Sequence, residues 1–122
     1  MPKNILVIDH DAEAGKMIVA VLEGEGYAAA VSSNFEDACQ KARQKIPALV
    51  IIDMGIPDLA GFEACRKIKE MFKPRPPRVI VITGKITMAD RMRARTVGAD
   101  DFVAKTLDMS NLIQSVRKIF TL

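Results

Sequence analysis

Short apolar runs alternate with helical periodicities along the whole chain, and this alternation limits the fold more than any other feature of the sequence. Asn4 to Asp9 carries Ile-Leu-Val-Ile and reads as a first strand ending on Asp9-His10-Asp11. Ala14, Met17, Ile18, Val21 and Leu22 then recur at helical spacing, and Gly24 and Gly26 stop that helix. Tyr27 to Val31 makes a short second strand. Ser33 and Glu36 have the spacing of a capping box, with Phe35, Ala38, Cys39, Ala42 and Ile46 as the buried stripe of a second helix that Pro47 closes. From Ala48 five apolar residues, three of them β-branched, run straight into Asp53, and Gly55, Pro57 and Gly61 follow as turn signals. Phe62, Cys65, Ile68 and Phe72 mark a third helix, which cannot continue into Pro74-Arg75-Pro76-Pro77. A fourth strand over Arg78 to Thr83 precedes Gly84 and Lys85. A fourth helix spans roughly Thr87 to Val97, with Met88 and Met92 as its apolar residues and Gly98 as a left-handed stop. A fifth strand, about Asp101 to Ala104, leads to Lys105. Met109, Leu112, Ile113, Val116, Ile119 and Phe120 then give a strongly amphipathic last helix.

Five strand-helix units in strict alternation imply one α/β domain over residues 1–122, with a parallel sheet, right-handed crossovers and helices on both faces. At 122 residues and 13.4 kDa the chain is long enough to bury a single core. Its longest wholly apolar run, Met17 to Leu22, is too short to span a bilayer, so a cytoplasmic location is the expectation. Cys39 and Cys65 fall on apolar helix stripes and read as core; with one histidine and no paired cysteines, a zinc site or disulfide framework has no support. A net charge of +3, few aromatics and no basic run give no argument for nucleic-acid binding.

The strand ends carry the chemistry. Parallel strands bring Asp9, Asp53, Thr83 and, just past the fifth strand, Lys105 to one edge, where open α/β sheets form their ligand crevice. Asp53 by itself reads equally as a cap for the third helix, but two carboxylates, a hydroxyl and an ammonium at successive strand ends favour a site. Two carboxylates suit a hard divalent cation such as Mg²⁺, which screens the repulsion between a carboxylate nucleophile and an incoming phosphoryl group. Asp53 would be that nucleophile. Thr83 could donate to one phosphoryl oxygen and Lys105 could place a positive charge on another.

In this order the residues resemble the response-regulator receiver domain of two-component signalling, the CheY-like fold: Ile-Asp-His-Asp, Asp53-x-x-x-Pro57 with Gly61, Thr83-Gly84, then Lys105. The resemblance covers essentially the whole chain and implies a flavodoxin-like (βα)5 domain of strand order 2-1-3-4-5. It further implies that Asp53 accepts a phosphoryl group from a phosphohistidine on a sensor histidine kinase or phosphotransfer protein. Asp9 and the carbonyl of Gly55 would help hold Mg²⁺. Thr83 and Phe102 match a switch pair, and Gly55 and Lys85 match positions that tune acyl-phosphate hydrolysis. The signal would leave for a downstream effector through the fourth helix, fifth strand and fifth helix, with no membrane and no nucleic acid bound by this domain. Such a domain is a signalling phosphoacceptor rather than an enzyme, and the sequence does not say whether it stands alone or belongs to a longer protein.

Two departures stand out. His10 replaces the second of two adjacent acids, and imidazole is a poorer Mg²⁺ ligand than carboxylate. Asp11 is either a substitute ligand or a cap for the first helix, and His10 itself either a transition-metal ligand or a packing residue. Secondly, Lys105-Thr106 stands where the family commonly has Lys-Pro with a cis peptide. A cis bond without proline costs about 2.5–4 kcal/mol, so a trans peptide is expected. Two other functions compete with the phosphoacceptor. One is a pseudo-receiver that binds a protein partner without phosphorylation, supported by His10. The other is a small phosphatase of the haloacid-dehalogenase type, suggested by Asp9-x-Asp11 and Thr83 but lacking an acidic motif after a late strand and room for a cap domain. Lys85, Arg91, Arg93 and Arg95 lie along the expected output face, as a solvated helix surface or as contacts for an acidic partner.

Overall fold

The computed structural model describes residues 2–121, so the two end residues of the expected 1–122 domain lie outside the described residues. Ten elements alternate without exception: β1 (Asn4–Ile8), α1 (Ala12–Gly24), β2 (Ala28–Ser32), α2 (Phe35–Gln44), β3 (Leu49–Asp53), α3 (Gly61–Met71), β4 (Arg78–Thr83), α4 (Met88–Thr96), β5 (Asp101–Ala104) and α5 (Ser110–Thr121). The sheet is parallel and five-stranded, ordered β2-β1-β3-β4-β5. Parallel pairing with alternating helices is what the alternation implies, and the order 2-1-3-4-5 is the flavodoxin-like one that the family resemblance implies. No described helix is long and apolar enough to cross a membrane.

Successive strand residues point to opposite faces, which divides the core in two. Val50 and Ile52 of β3 join Leu6, Ile8, Val79 and Val81 under α2 and α3, with Phe62, Cys65 and Ile68 above them. Leu49 and Ile51 face the other way with Ile5, Val7, Ile80 and Ile82, covered by Ile18 and Leu22 of α1 and by Leu112, Val116 and Ile119 of α5. All five residues of β3 are buried, so this strand can end on a carboxylate only where the sheet meets solvent. Both cysteines are buried and free, and burial pushes the Cys65 thiol up to about 11.

Some local expectations shift. The cap of α2 is Asn34, whose side chain accepts from the Asp37 N–H at 2.8 Å, so Ser33 is not the capping residue. Ile46 lies beyond the helix and is exposed, as is Met17 on the outer side of α1. Met88 and Met92 face solvent, and Ala94 is the buried residue of α4. Gly98 does adopt the left-handed conformation, at φ +84°. Lys105–Thr106 is trans; among the described residues the cis peptide is Lys73–Pro74.

The loop from β3 to α3 is fixed at two points. At Gly61 a Cβ would lie 2.8 Å from the Met54 Cα, so the loop closes onto the residue after Asp53 with no room for a side chain. Further along, Asp58 caps α2 from outside that helix, accepting from the N–H groups of Phe35 at 2.9 Å and Glu36 at 3.1 Å. Those N–H groups are unpaired in the first turn of any helix, and a carboxylate there also meets the positive end of the helix dipole. The Phe35 N–H, with that of Glu36, outweighs the slight desolvation of this exposed residue and holds the Asp58 carboxyl below its ordinary 3.8.

Two predictions follow from this loop. Gly61→Ala should destabilise the protein by about 1–3 kcal/mol in urea unfolding, because the atom it meets is backbone and cannot swing aside. Asp58→Ala should lower stability by about 1 kcal/mol at pH 7. A carboxyl with a depressed folded value contributes fully above its unfolded value, so the gap between wild type and Asp58→Ala should shrink as pH falls below 3.8.

Candidate functional site

β1 and β3 are hydrogen-bonded neighbours with Ile8 opposite Ile52, so the residues that follow, Asp9 and Asp53, emerge side by side at the carboxyl edge of the sheet. Both are buried, at 1% and 7% relative exposure. Lys105 follows β5, two strands further along, and its long stem carries the ammonium back across the edge. Its Nζ donates to Asp9 Oδ2 at 3.2 Å and stands 3.3 Å from Asp53 Oδ1. Burial opposes the Lys105 charge, but Asp53 and Asp9, with hydrogen bonds to both, outweigh it and hold its pKa above 10.5. One cation thus serves two carboxylates.

Asp53 does not cap α3: that position is Ala60, which makes no side-chain cap bond. Asp11 resolves the other way. Its Oδ1 accepts from Glu13 N at 3.0 Å and Ala14 N at 3.2 Å, making it the cap of α1 and directing it away from Asp9 and Asp53. The third group at the pocket is His10. Its Nδ1 stands 3.4 Å from Asp53 Oδ2 and 3.8 Å from Asp9 Oδ1, and the three side chains form the potential metal-ligating cluster found among the described residues. Gly55 borders this space, since a Cβ there would lie 3.3 Å from Asp53 Oδ2 and 3.4 Å from His10 Cε1. Two carboxylate oxygens and an imidazole nitrogen facing one another fit a divalent cation.

Thr83 ends β4 half-buried. Its Oγ1 accepts from the Lys85 N–H at 3.3 Å and donates to the Lys85 carbonyl at 3.1 Å, so Lys85 enters through its backbone while its side chain is exposed. Phe102 is buried and meets Phe62 edge-on, with ring centroids 5.4 Å apart. Arg93, itself exposed, reaches over the other aromatic of this pair, its Cζ 5.4 Å from the Phe62 ring. Arg91 and Arg95 remain exposed, one turn apart, beside Met88 and Met92. Pattern reading placed Phe62 only on a helix stripe and did not single out Asp58, whose carboxylate anchors the loop after Asp53 to α2.

The phosphatase arrangement finds no support here. Asp11 is spent on its helix, and Asp100 sits at the far end of the sheet. There it accepts from Val79 N at 2.8 Å and from Lys69 Nζ at 2.7 Å.

Comparison with known proteins agrees with the geometry. The chain is similar to the transcriptional regulatory protein CreB of Escherichia coli, 29% identical over 96% of this chain and 50% of CreB. It is likewise similar to the DNA-binding response regulator MtrA of Mycobacterium tuberculosis, 31% identical over 96% of this chain and 50% of MtrA. The chain therefore spans about half the length of these curated relatives. Among solved structures it superposes on the chemotaxis protein CheY4 of Vibrio cholerae with a TM-score of 0.90 at 18% identity, covering 98% of this chain and 99% of that one. The response regulator TrrA of Thermotoga maritima, solved in complex with Mg²⁺-BeF, gives 0.84 at 26% identity, covering 96% and 98%. The response regulator receiver domain family matches residues 5–117, and with nearly the whole chain accounted for, the protein belongs to that family.

Proposed function

We propose that this domain is a phosphoacceptor in which Asp53 takes a phosphoryl group from the phosphohistidine of a sensor kinase or phosphotransfer protein. The observation that carries the reading is the single Lys105 ammonium within 3.3 Å of both Asp9 and Asp53. A buried pair of carboxylates sharing one cation is unfavourable as mere structure, and it is what a phosphoryl-accepting pocket requires.

In the transfer, an Asp53 carboxylate oxygen attacks phosphorus as the P–N bond to the donor imidazole breaks, and the donor nitrogen takes up a proton. The product is an acyl phosphate. A divalent cation such as Mg²⁺, held by Asp9, Asp53 and the Gly55 carbonyl, would neutralise charge on the phosphoryl oxygens. Lys105 offers its ammonium to one of those oxygens, keeping a partner as the Asp53 charge is esterified. Among the described residues the Thr83 hydroxyl is bound only to the backbone of Lys85, through contacts of 3.1 and 3.3 Å, so it is free to exchange them for a phosphoryl oxygen. Movement of Thr83 at the end of β4 would be felt by Phe102 on neighbouring β5, whose ring is held by Phe62 alone among the aromatics. Output would then pass through α4, β5 and α5 to an effector protein or domain, in keeping with relatives that are transcriptional and DNA-binding regulators twice this length. His10 in place of an acid favours the second reading, a phosphorylation-independent binding module, and the same experiment separates the two.

Incubation with a small-molecule phosphodonor should raise the intact mass by one phosphoryl group in the presence of Mg²⁺ or Mn²⁺, and Asp53→Asn should abolish the gain. No gain at any concentration of either ion would leave the binding module as the function. Arg91 and Arg95 are exposed on the proposed output face, and reversing both to Glu should weaken a partner with an acidic surface by about tenfold or more at low salt, with a shallower salt dependence. Titration of the partner at two ionic strengths checks this; unchanged affinity and salt slope would assign the arginines to solvent.

A further inference from the structure

We infer that the pocket selects a first-row transition cation over Mg²⁺, with His10 Nδ1 as a direct ligand. This rests on the cation-assisted pocket proposed above and names the ion that the pocket prefers. The argument begins with how the four carboxylate oxygens are divided. Asp9 Oδ2 and Asp53 Oδ1 face the Lys105 ammonium, at 3.2 and 3.3 Å. The remaining oxygens, Asp9 Oδ1 and Asp53 Oδ2, are the ones that face His10 Nδ1, at 3.8 and 3.4 Å. An ion seated between the histidine and these two oxygens therefore need not displace the lysine.

The spacing suits a shared ion. Ligand atoms about 2.1 Å from one metal stand about 3.0 Å apart at right angles and about 3.4 Å apart in tetrahedral array. Separations of 3.4 and 3.8 Å thus need only small side-chain adjustment, and His10, with about half its side chain exposed, has the freedom to make it. The space is kept by Gly55, where any Cβ would press to within 3.3 Å of Asp53 Oδ2 and 3.4 Å of the imidazole Cε1. The orientation of Asp9 is also fixed, since its Oδ1 accepts the Asp11 N–H at 3.0 Å and leaves a second lone pair for the ion.

The ligand set decides the ion. Mg²⁺ keeps to oxygen and parts reluctantly with its water, whereas imidazole nitrogen is a favoured ligand of cobalt, nickel and zinc ions. Exchange of a carboxylate for imidazole at this position removes a negative charge, which weakens attraction for every dication equally. It adds a nitrogen bond that only the transition ions use well. The two effects together lower Mg²⁺ affinity while leaving Co²⁺ or Ni²⁺ affinity nearly intact. Neither cysteine competes, because both are buried, Cys65 in the core beneath α3 and Cys39 with its Sγ against Met71 Sδ.

The test uses the unphosphorylated protein, so that it stands apart from phosphoryl uptake. Calorimetric titration with Co²⁺ and with Mg²⁺ gives a ratio of dissociation constants for wild type, His10→Asp and His10→Ala. The Co²⁺ preference should fall by at least about tenfold in both variants, as losses of ligand-shell groups do, with Mg²⁺ binding tightened in His10→Asp. Since the chain has one histidine, a hyperfine-shifted imidazole resonance in the Co²⁺-loaded protein can come only from His10. An unchanged ratio, unshifted imidazole signals or no binding of Co²⁺ would each overturn the inference. A protein that shows the preference but never accepts a phosphoryl group would instead retain this site and lose the phosphoacceptor reading.

Discussion

Everything at the functional edge depends on one electrostatic balance, two buried carboxylates held beside each other against a single ammonium. At about 4 Å and an effective dielectric of about 20, two like charges repel by about 4 kcal/mol, a large fraction of what a small domain has in total stability. Lys105 offsets this by standing within 3.3 Å of both Asp9 and Asp53. The sheet order is what makes the balance possible. β1 and β3 are neighbours only because the chain crosses over β1 after β2, and β5 lies on the same side as β3 only because the order then runs outward. A different winding would separate the acids or strand the lysine.

Rigidity is distributed unevenly around that pocket. On the β3 side the loop closes on Met54 through Gly61 and is clasped to α2 through Asp58, so Asp53 sits on a well-anchored segment. On the β4 and β5 side the restraints are fewer. α4 buries only Ala94, exposes two methionines and is tied to α3 by the Arg93 guanidinium over Phe62. Elements with few buried contacts open and shift at the lowest free energy, so a change at Thr83 meets its least resistance in the direction of α4 and Phe102. On the proposed mechanism, nucleophile and signal would thereby fall on opposite flanks of the same edge.

The fold was legible because the apolar runs and helical stripes do not overlap: β4 and β5 run over the expected residues, and Asp9, Asp53 and Lys105 converge as parallel winding requires. What the pattern misassigned were local choices with near-equal alternatives. Ser33 and Asn34 are both good caps, and only the backbone decides that Asn34 reaches the Asp37 N–H. Met88 and Met92 carry the apolar signal of α4, yet the helix meets the core through Ala94, and both methionines remain outside. Asp58 was invisible for a different reason. It caps a helix 22 and 23 residues earlier in the chain, a relation that no local window contains. Asp11 was readable as cap or ligand, and the geometry of α1 gives it to the helix.

His10 is where sequence and structure pull hardest against the family pattern, and its effect on charge reaches beyond the choice of ion. Two carboxylates and one ammonium leave the pocket with one net negative charge, where a second adjacent acid would leave two. An incoming phosphoryl group, itself an anion, therefore meets less repulsion here before any cation is bound. If the pocket works as proposed, the same replacement that would weaken its hold on Mg²⁺ would also lower the need for it, since screening of nucleophile from electrophile is the first service such a cation performs. What the histidine cannot replace is neutralisation of the equatorial oxygens once the phosphoryl group is in transit, because an imidazole beside Asp53 Oδ2 is placed to hold an ion or one oxygen, and not all three. On the proposed mechanism Lys105 and Thr83 would then carry a larger share of that charge, and the positions of their ammonium and hydroxyl, more than the identity of the bound ion, would set how well Asp53 could react.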